Sequence, residues 1–342
     1  MKEYQELARI IPRLKDLVKY KVTVMPDFFI DYIVAINEEL KEFYELLNKV
    51  AQGGGGNLTI RGEIVRGGNA ANTASALASL GVNVYLIVVT SRLGKALLEY
   101  FMDGLPVNLD HVKISERESK TVALELYFNN KKVNIMLSDP GSLKCFEASL
   151  LSDEDIRVID QSEIIGVFNW NLNECSNNLI KELRELTSRP LLLDTGDPRV
   201  ANINRVNELL RMLMNGVVDY LSLNENEVIF YASKLGYSAN DPLRAARYLY
   251  NMINVRRLYV HTPSLVAAFP DDIVVKTLEI KPIRVTGAGD TWNAGIIAGL
   301  LLDLNAKEQL VLANILAACY ITRVDGKHCK LEDLIKFIEA IR

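Results

Sequence analysis

The stretch IRVTGAGDTWNAGIIAGLLL, residues 283–302, carries the most informative local chemistry in the chain. Gly287 and Gly289 flank Ala288, so little Cβ bulk precedes a helix whose first turn holds Asp290 and Thr291. A helix start leaves several N–H groups without partners, and the helix dipole adds positive potential there. Such a terminus accepts an anion, a transferring phosphoryl group among them. A carboxylate beside an anion site is repelled unless it has a task, and the fitting task is to take a proton from an attacking hydroxyl. The same residues also fit a helix cap after a tight turn, so spacing alone leaves both readings standing.

Outward from this segment the pattern is repeated. RGGNAANTASALASLG, residues 66–81, is a glycine turn followed by a small-residue helix that Gly81 closes. VNVYLIVVT, EIIGVFNW, PLLLDT, DYLSLN and RRLYVHT are short apolar runs, each followed by a helix-like stretch. Continuous apolar strands between helices predict a parallel sheet covered on both faces. TVALELYF and KVNIMLS flank Asn129-Asn130 and read as an antiparallel hairpin, with strands around residues 22–34 and 58–66 able to join it as a small second sheet. LVAAF and IVVKTLEI read as another hairpin. Lys21–Val34 is expected as one strand broken at Pro26-Asp27, and Asn37–Val50 as a helix ended by Gly53–Gly56. Residues 2–20 place Leu7, Ile10, Ile11, Leu14 and Leu17 at helical spacing. The expected architecture is a doubly wound α/β core with a β lid, whose site lies where strand ends lead into helices: loops 67–72, 169–173, 194–199, 224–227 and 284–290.

The 342 residues are 49% hydrophobic and 24% charged, an ordinary globular balance. A net charge of −4 gives no basic field for nucleic acid. No run approaches the roughly 18 to 20 apolar residues of a membrane span, and the charged N-terminus is unlike a signal peptide. A cytoplasmic protein is therefore expected. Cys145, Cys175, Cys319 and Cys329 lie far apart without CxxC spacing, which suits separate thiols in a reducing cytosol. His328-Cys329 is half of a metal-site pattern with no second half. GGGGN at 53–57 follows a helix rather than a strand, which argues against a dinucleotide fold, and no GxxxxGK[ST] occurs.

TGAGDTWNAG resembles the second signature of the ribokinase/PfkB carbohydrate kinases, and RGGNAANTASALASLG resembles the first, in the family's order. The likeness runs from Lys21 to the C-terminus, leaving residues 1–20 as an N-terminal helical extension. It implies a ribokinase-like three-layer α/β sandwich with a central, mostly parallel sheet and a small β-sheet lid, near residues 31–66 and 111–138. It also implies a phosphotransferase moving a phosphoryl group from ATP or ADP, with Mg2+, to a hydroxyl of a sugar or sugar phosphate. Asp290 would be the general base, and the amides of Gly287, Ala288 and Gly289 an anion hole. Asp31, Asp27, Gly68 and Asn72 would line the acceptor pocket, Gly68 because a side chain would collide with the substrate. Asn169 and Asn171 at a strand end suit hydroxyl recognition. Asn224 and Glu227 match an N-x-x-E motif that orders water around magnesium and phosphate, although NENE alone reads as a helix cap. Thr286 and Asn314 fall on the nucleotide side. Lid strands that pair across a homodimer complete the analogy.

Three positions depart from the family pattern. Arg284 and Val285 stand where Asp-Thr is usual, which suggests that the Arg284 guanidinium replaces a monovalent cation. HTPSLVAAF has Pro263 and Val266 in place of a G-x-x-G loop, and proline removes an N–H donor. TSRLG replaces an acidic loop, making Arg92, with Arg66 as a second candidate, a possible partner for a phosphate on the acceptor. Two other functions fit the same residues: a nucleoside kinase, with Trp170 and Phe29 available to stack on a base, and a nucleotide-binding protein without catalysis.

Overall fold

The computed structural model describes residues 6–238 and 240–341, so residues 2–5 of the predicted leading helix lie outside it. The apolar runs assemble into a nine-stranded sheet. Across it lie Ile273–Lys276, Leu265–Phe269, Arg257–His261, Tyr220–Asn224, Leu191–Asp194, Ile164–Val167, Lys21–Met25, Asn83–Leu86 and Val107–Asn108. From Arg257–His261 onward the strands are parallel, and the other two form an antiparallel edge hairpin. Ile164–Val167 and Leu191–Asp194 are buried along their whole length because helices cover both faces, which is why their sequences do not alternate.

One face carries Asn69–Ser79, Ala288–Leu301, Ala306–Ile321 and Leu331–Ile341; the other carries Asp153–Gln161, Ser176–Leu186, Ile203–Met214, Glu225–Lys234 and Pro242–Met252. Ala288–Leu301 and Ala306–Ile321 approach so closely that a Cβ on Gly295 would stand 2.4 Å from Ala313 Cα. This closeness fixes the helix that bears Asp290 against its neighbour. The leading segment forms an α-helix, Leu7–Leu14, continued by a 3-10 turn, Lys15–Lys19. It buries Leu7, Ile10, Leu14 and Leu17 in the same core as Ala306–Ile321, and Lys307 pairs with Glu6 at 2.6 Å.

A separate four-stranded sheet has the order Arg61–Gly67, Phe29–Glu39, Ser119–Phe128, Lys131–Asp139. Asn129 and Asn130 join the last two strands with φ of 53° and 60°, the left-handed pair that a two-residue hairpin turn requires. Phe29–Glu39 pairs antiparallel with Arg61–Gly67 and parallel with Ser119–Phe128.

The structure corrects several local readings. Lys21–Val34 is two strands in different sheets: the chain leaves the core sheet at Pro26, and Phe29–Glu39 belongs to the lid. That strand runs through Asn37, so the following helix starts at Leu40, where Glu39 and Glu42 form a capping box. The predicted strand Leu58–Val65 is Arg61–Gly67. Val89–Thr90 separates from Asn83–Leu86 and pairs with Lys113–Ile114 in a two-stranded ribbon. The cysteines are not separate thiols. Cys145 pairs with Cys175 and Cys319 with Cys329, at Cα separations of 4.9 and 6.3 Å. The tertiary fold closes those distances, and sequence spacing carries no trace of it. Cys329 is thereby removed from any metal site. Among the described residues no helix is long and apolar enough to cross a membrane.

Candidate active site

The helix Ala288–Leu301 starts at Gly287, whose φ of 84° lies in the left-handed region. The Gly287, Gly289 and Asp290 amides have no protein acceptor among the described residues, whereas Ala288 N–H donates to Val285 O at 3.2 Å. The free donors of the expected anion hole are therefore Gly287 and Gly289, joined by the amide of Asp290 itself rather than that of Ala288. Asp290 is 8% exposed. Asn72 Nδ2 donates to its Oδ2 at 2.9 Å, and its Oδ1 has no partner among the described residues. Burial holds the Asp290 carboxyl well above the ordinary range. Asn72 and the Arg66 charge act the other way, and the charges of Asp194 and Asp27 add to the rise. A carboxyl raised in this way suits proton acceptance near neutral pH better than an ordinary one.

Asp27, expected in the acceptor pocket, is already committed to groups of the protein. Its carboxylate accepts from Asn69 N at 2.7 Å, Ala70 N at 2.8 Å and Asn169 Nδ2 at 3.0 Å. It thus caps the helix Asn69–Ser79, which begins at a glycine and has no cap of its own. Gly68 has a φ of 90°, and a Cβ there would meet Asp27 Oδ2 at 2.9 Å. Backbone conformation and the Asp27 contact account for this glycine. Asp31 is buried, its Oδ1 has no hydrogen-bond partner among the described residues, and burial pushes its carboxyl up to about 6. A Cβ on Gly67 would fall 2.2 Å from Asp31 Cγ, so that glycine makes room for the carboxylate. Asn171 Oδ1 is likewise buried without a partner among the described residues. Two orphaned acceptors at strand ends are the groups a hydroxyl-rich molecule would satisfy.

Trp170 is not available to stack on a base. It is fully buried, its indole N–H donates to Asn177 Oδ1 at 2.7 Å, and the Arg205 guanidinium lies 4.7 Å from the ring centroid. Phe29 is buried in the same core cluster. Arg92 lies exposed in the first turn of Arg92–Met102, and among the described residues no hydrogen bond or ion pair joins it to the Asp290 cluster.

Asn224 and Glu227 form a reciprocal capping box: Asn224 Oδ1 accepts from Asn226 N and Glu227 N, and Glu227 Oε2 accepts from Asn224 N at 2.9 Å. Glu227 is buried, and burial together with the Asp194 charge raises its carboxyl well above the ordinary value. Asp194 was not singled out from the sequence. It accepts from Gly196 N at 2.9 Å and from Asn293 Nδ2 at 2.6 Å, and Ser222 Oγ donates to Asn293 Oδ1 at 2.6 Å. Burial raises Asp194 as well. The Asp194 charge pushes Glu227 up, a repulsion that a hard cation such as Mg2+ would relieve; because the oxygens of both carboxylates already accept from Gly196, Asn293 and Asn224, the pair fits Mg2+ through water.

On the opposite side, Thr286 Oγ1 lies 3.5 Å from Asn134 Nδ2 of the lid, and Thr286 O accepts from Tyr320 OH at 3.1 Å. The lid hairpin thus reaches the loop that carries the free amides. Asn314 is buried in the helix packed against that of Asp290. The turn after Arg257–His261 is tight, with Thr262 Oγ1 accepting from Ser264 N and Leu265 N. Burial lowers His261 to about 4, and its ring lies 4.8 Å from that of Trp292. Arg284 donates to Arg323 O at 3.3 Å and Val324 O at 3.1 Å, and a Cβ on Gly326 would collide with its guanidinium.

A family model described as "pfkB family carbohydrate kinase" matches residues 36–333. The chain belongs to the pfkB family of carbohydrate kinases. A ketohexokinase of Haloferax volcanii is 27% identical over 206 residues, and the match spans only 55% of each chain. A ribokinase structure from Arabidopsis thaliana, complexed with ribose and ATP, superposes with a TM-score of 0.70 at 20% identity, over 94% of this chain and 98% of that one. A Xylella fastidiosa fructokinase with bound ATP gives 0.71 at 15% identity, over 94% and 98%. A Burkholderia thailandensis nucleoside kinase with inosine gives 0.67 at 15% identity, over 94% and 96%. These structures share the ribokinase-like fold, with which the large mixed sheet and the small separate sheet of this pfkB member agree. Signals for its less obvious site groups exist in the sequence but are weak. Asp194 ends a wholly apolar strand ahead of Gly196, and Asn293 follows Asp290 by one helical turn.

Proposed function

We propose that this chain transfers the terminal phosphoryl group of ATP to a hydroxyl of a sugar or sugar phosphate, with Asp290 as general base. The observation that carries the reading is a buried carboxylate with one oxygen held by Asn72 and the other unpartnered, beside three free amides at a helix start. The acceptor hydroxyl would lie against Asp290 Oδ1 and give up its proton as it attacks in line. The amides of Gly287, Gly289 and Asp290 would stabilise charge on the transferring oxygens, and the lid would keep water out as a competing acceptor. Mg2+, held through water by Asp194 and Glu227, would supply charge neutralisation on the phosphate groups. Asp31 Oδ1 and Asn171 Oδ1 would orient acceptor hydroxyls.

The relatives crystallised with ATP support ATP over ADP as donor. A sugar is favoured over a nucleoside because Trp170 and Phe29 are packed into the core and leave no ring of theirs to stack on a base. Exposed Ile64, Val122, Ile135 and Leu137 on the lid support a homodimer formed through it, and ATP as donor supports a cytoplasmic setting, against which stand the two disulfides, uncommon in a reducing cytosol. Incubation with ATP or ADP and a panel of sugars, sugar phosphates and nucleosides, read by product mass, tests the reading. A phosphorylated sugar made from ATP is expected. Product from nucleosides alone would select the nucleoside kinase, and nucleotide binding without any product would leave a binding protein.

A further inference from the structure

Arg66 is the penultimate residue of the lid strand Arg61–Gly67, and among the described residues no carboxylate lies within ion-pair distance of it. Its Nε donates to Asn72 Oδ1 at 3.1 Å, and its Nη2 lies 3.2 Å from His328 Nδ1. A guanidinium has donors only. Asn72 must therefore turn its oxygen to Arg66, which leaves its Nδ2 facing Asp290 Oδ2 at 2.9 Å. The reverse orientation would set Asn72 oxygen against carboxylate oxygen and Asn72 N–H against guanidinium N–H, two repulsive contacts in place of two bonds. By the same logic His328 presents the Nδ1 lone pair to Arg66 and carries its proton on Nε2, which is buried without a partner among the described residues. Burial, with Arg66 and Arg284 adding to it, holds His328 far below its ordinary pKa, so it remains a neutral acceptor.

The His328 end is itself anchored. Ser75 Oγ, 3.0 Å from Nδ1, shares that one lone pair with Arg66, and the ring stacks on Tyr320 with centroids 4.7 Å apart. Cys329 and Cys319, the sequence neighbours of these two rings, are joined by a disulfide. Tyr320 OH in turn donates to Thr286 O, at the loop that bears the free amides.

We infer that Arg66, anchored by His328, is a positioning residue that locks the Asn72 amide with its donor side toward Asp290. The inference rests on Asp290 being the catalytic base. It deepens that reading: the lock holds Oδ2, leaves Oδ1 for the acceptor, and favours the ionised form that takes the proton. Because Arg66 belongs to the lid, it also couples the placement of the lid to the state of the base. The charged and titratable groups around Asp290 are Asp194 at a strand end, Asp27 after the first core strand, Arg66 on the lid and Tyr320 on the neighbouring helix.

The test is a 13C NMR titration of aspartate-labelled protein, with the Asp290 signal assigned by its loss in Asp290→Asn. The wild type is compared with Arg66→Ala, Asn72→Ala and the double variant. Each single change should raise the Asp290 midpoint by about one pH unit. The double variant should raise it by less than the sum, since Arg66 acts through Asn72. Millimolar guanidinium should return Arg66→Ala toward the wild type. Arg66→Met, which keeps the apolar stem, replaces Arg66→Ala if the latter does not fold. An unchanged midpoint overturns the inference, and so does strict additivity, which would mean that Arg66 acts by charge alone. The titration does not depend on turnover, so it can fail while Asp290 remains the base, and a fully active Asp290→Asn would remove the base while leaving the lock intact.

Discussion

Replacing Asp31 by asparagine should weaken the acceptor site and strengthen the empty protein at once. The carboxyl is buried and raised from the ordinary 3.8 to about 6, with burial as the main cause and Thr121 acting against it. A carboxyl that is harder to ionise in the folded state costs stability as pH rises between those values. The unfolded chain loses its proton near 3.8, while the folded one holds it until about 6. The penalty is absent below pH 4 and complete above pH 6. At 1.36 kcal/mol per pH unit the gap corresponds to about 3 kcal/mol. Asp31→Asn, nearly isosteric, should recover up to that amount at pH 7 and almost none at pH 4. The orphaned Oδ1 is the group a substrate hydroxyl would satisfy. A charged acceptor exceeds a neutral one by about 1–2 kcal/mol, so the acceptor KM should rise roughly five- to thirtyfold while the ATP KM hardly moves. Thermal melting at the two pH values and steady-state kinetics with each substrate varied read out both effects. An equal melting shift at pH 4 and pH 7, or an unchanged acceptor KM, would refute the reasoning.

Three further outcomes can be checked separately. Arg284 occupies backbone carbonyls of the 323–326 loop with its own charge, so activity should be the same in K+ and Na+ at constant ionic strength; a several-fold stimulation by K+ would contradict this. Asp194→Asn and Glu227→Gln should each raise the Mg2+ concentration for half-maximal activity about tenfold or more, read from Mg2+ titrations at saturating substrates; unchanged curves would dissociate these carboxylates from the metal. Thiol titration of the unreduced, denatured protein should find no reactive cysteine among Cys145, Cys175, Cys319 and Cys329, and four reactive thiols would restore the separate-thiol reading.

The layers of the fold were legible because buried parallel strands must be continuously apolar and must alternate with helices, as Ile164–Val167 and Leu191–Asp194 do. Asn129-Asn130 was legible because few residues tolerate two consecutive left-handed positions. Groups brought together by tertiary structure were not. Arg66 and His328 lie 262 positions apart, and each looks like an isolated polar residue until the lid and the C-terminal loop meet. Trp170 reads as a pocket aromatic at a strand end, but Asn169 adopts a φ of 53° and the ring packs into the core. Asp27 shows why a motif residue can mislead. Its carboxylate is committed to the start of Asn69–Ser79 and to Asn169, so it shapes the pocket by holding that helix in place. The split of Lys21–Val34 was hidden for a simpler reason: both halves have strand composition, and only the sheet topology separates them.

Asp290→Asn is the most direct test of phosphoryl transfer by general base catalysis at this site. The substitution keeps size and burial and removes proton acceptance, so kcat should fall by about a hundred- to ten-thousandfold while ATP binding, measured by calorimetry, is retained. Turnover near the wild-type rate would contradict the assignment.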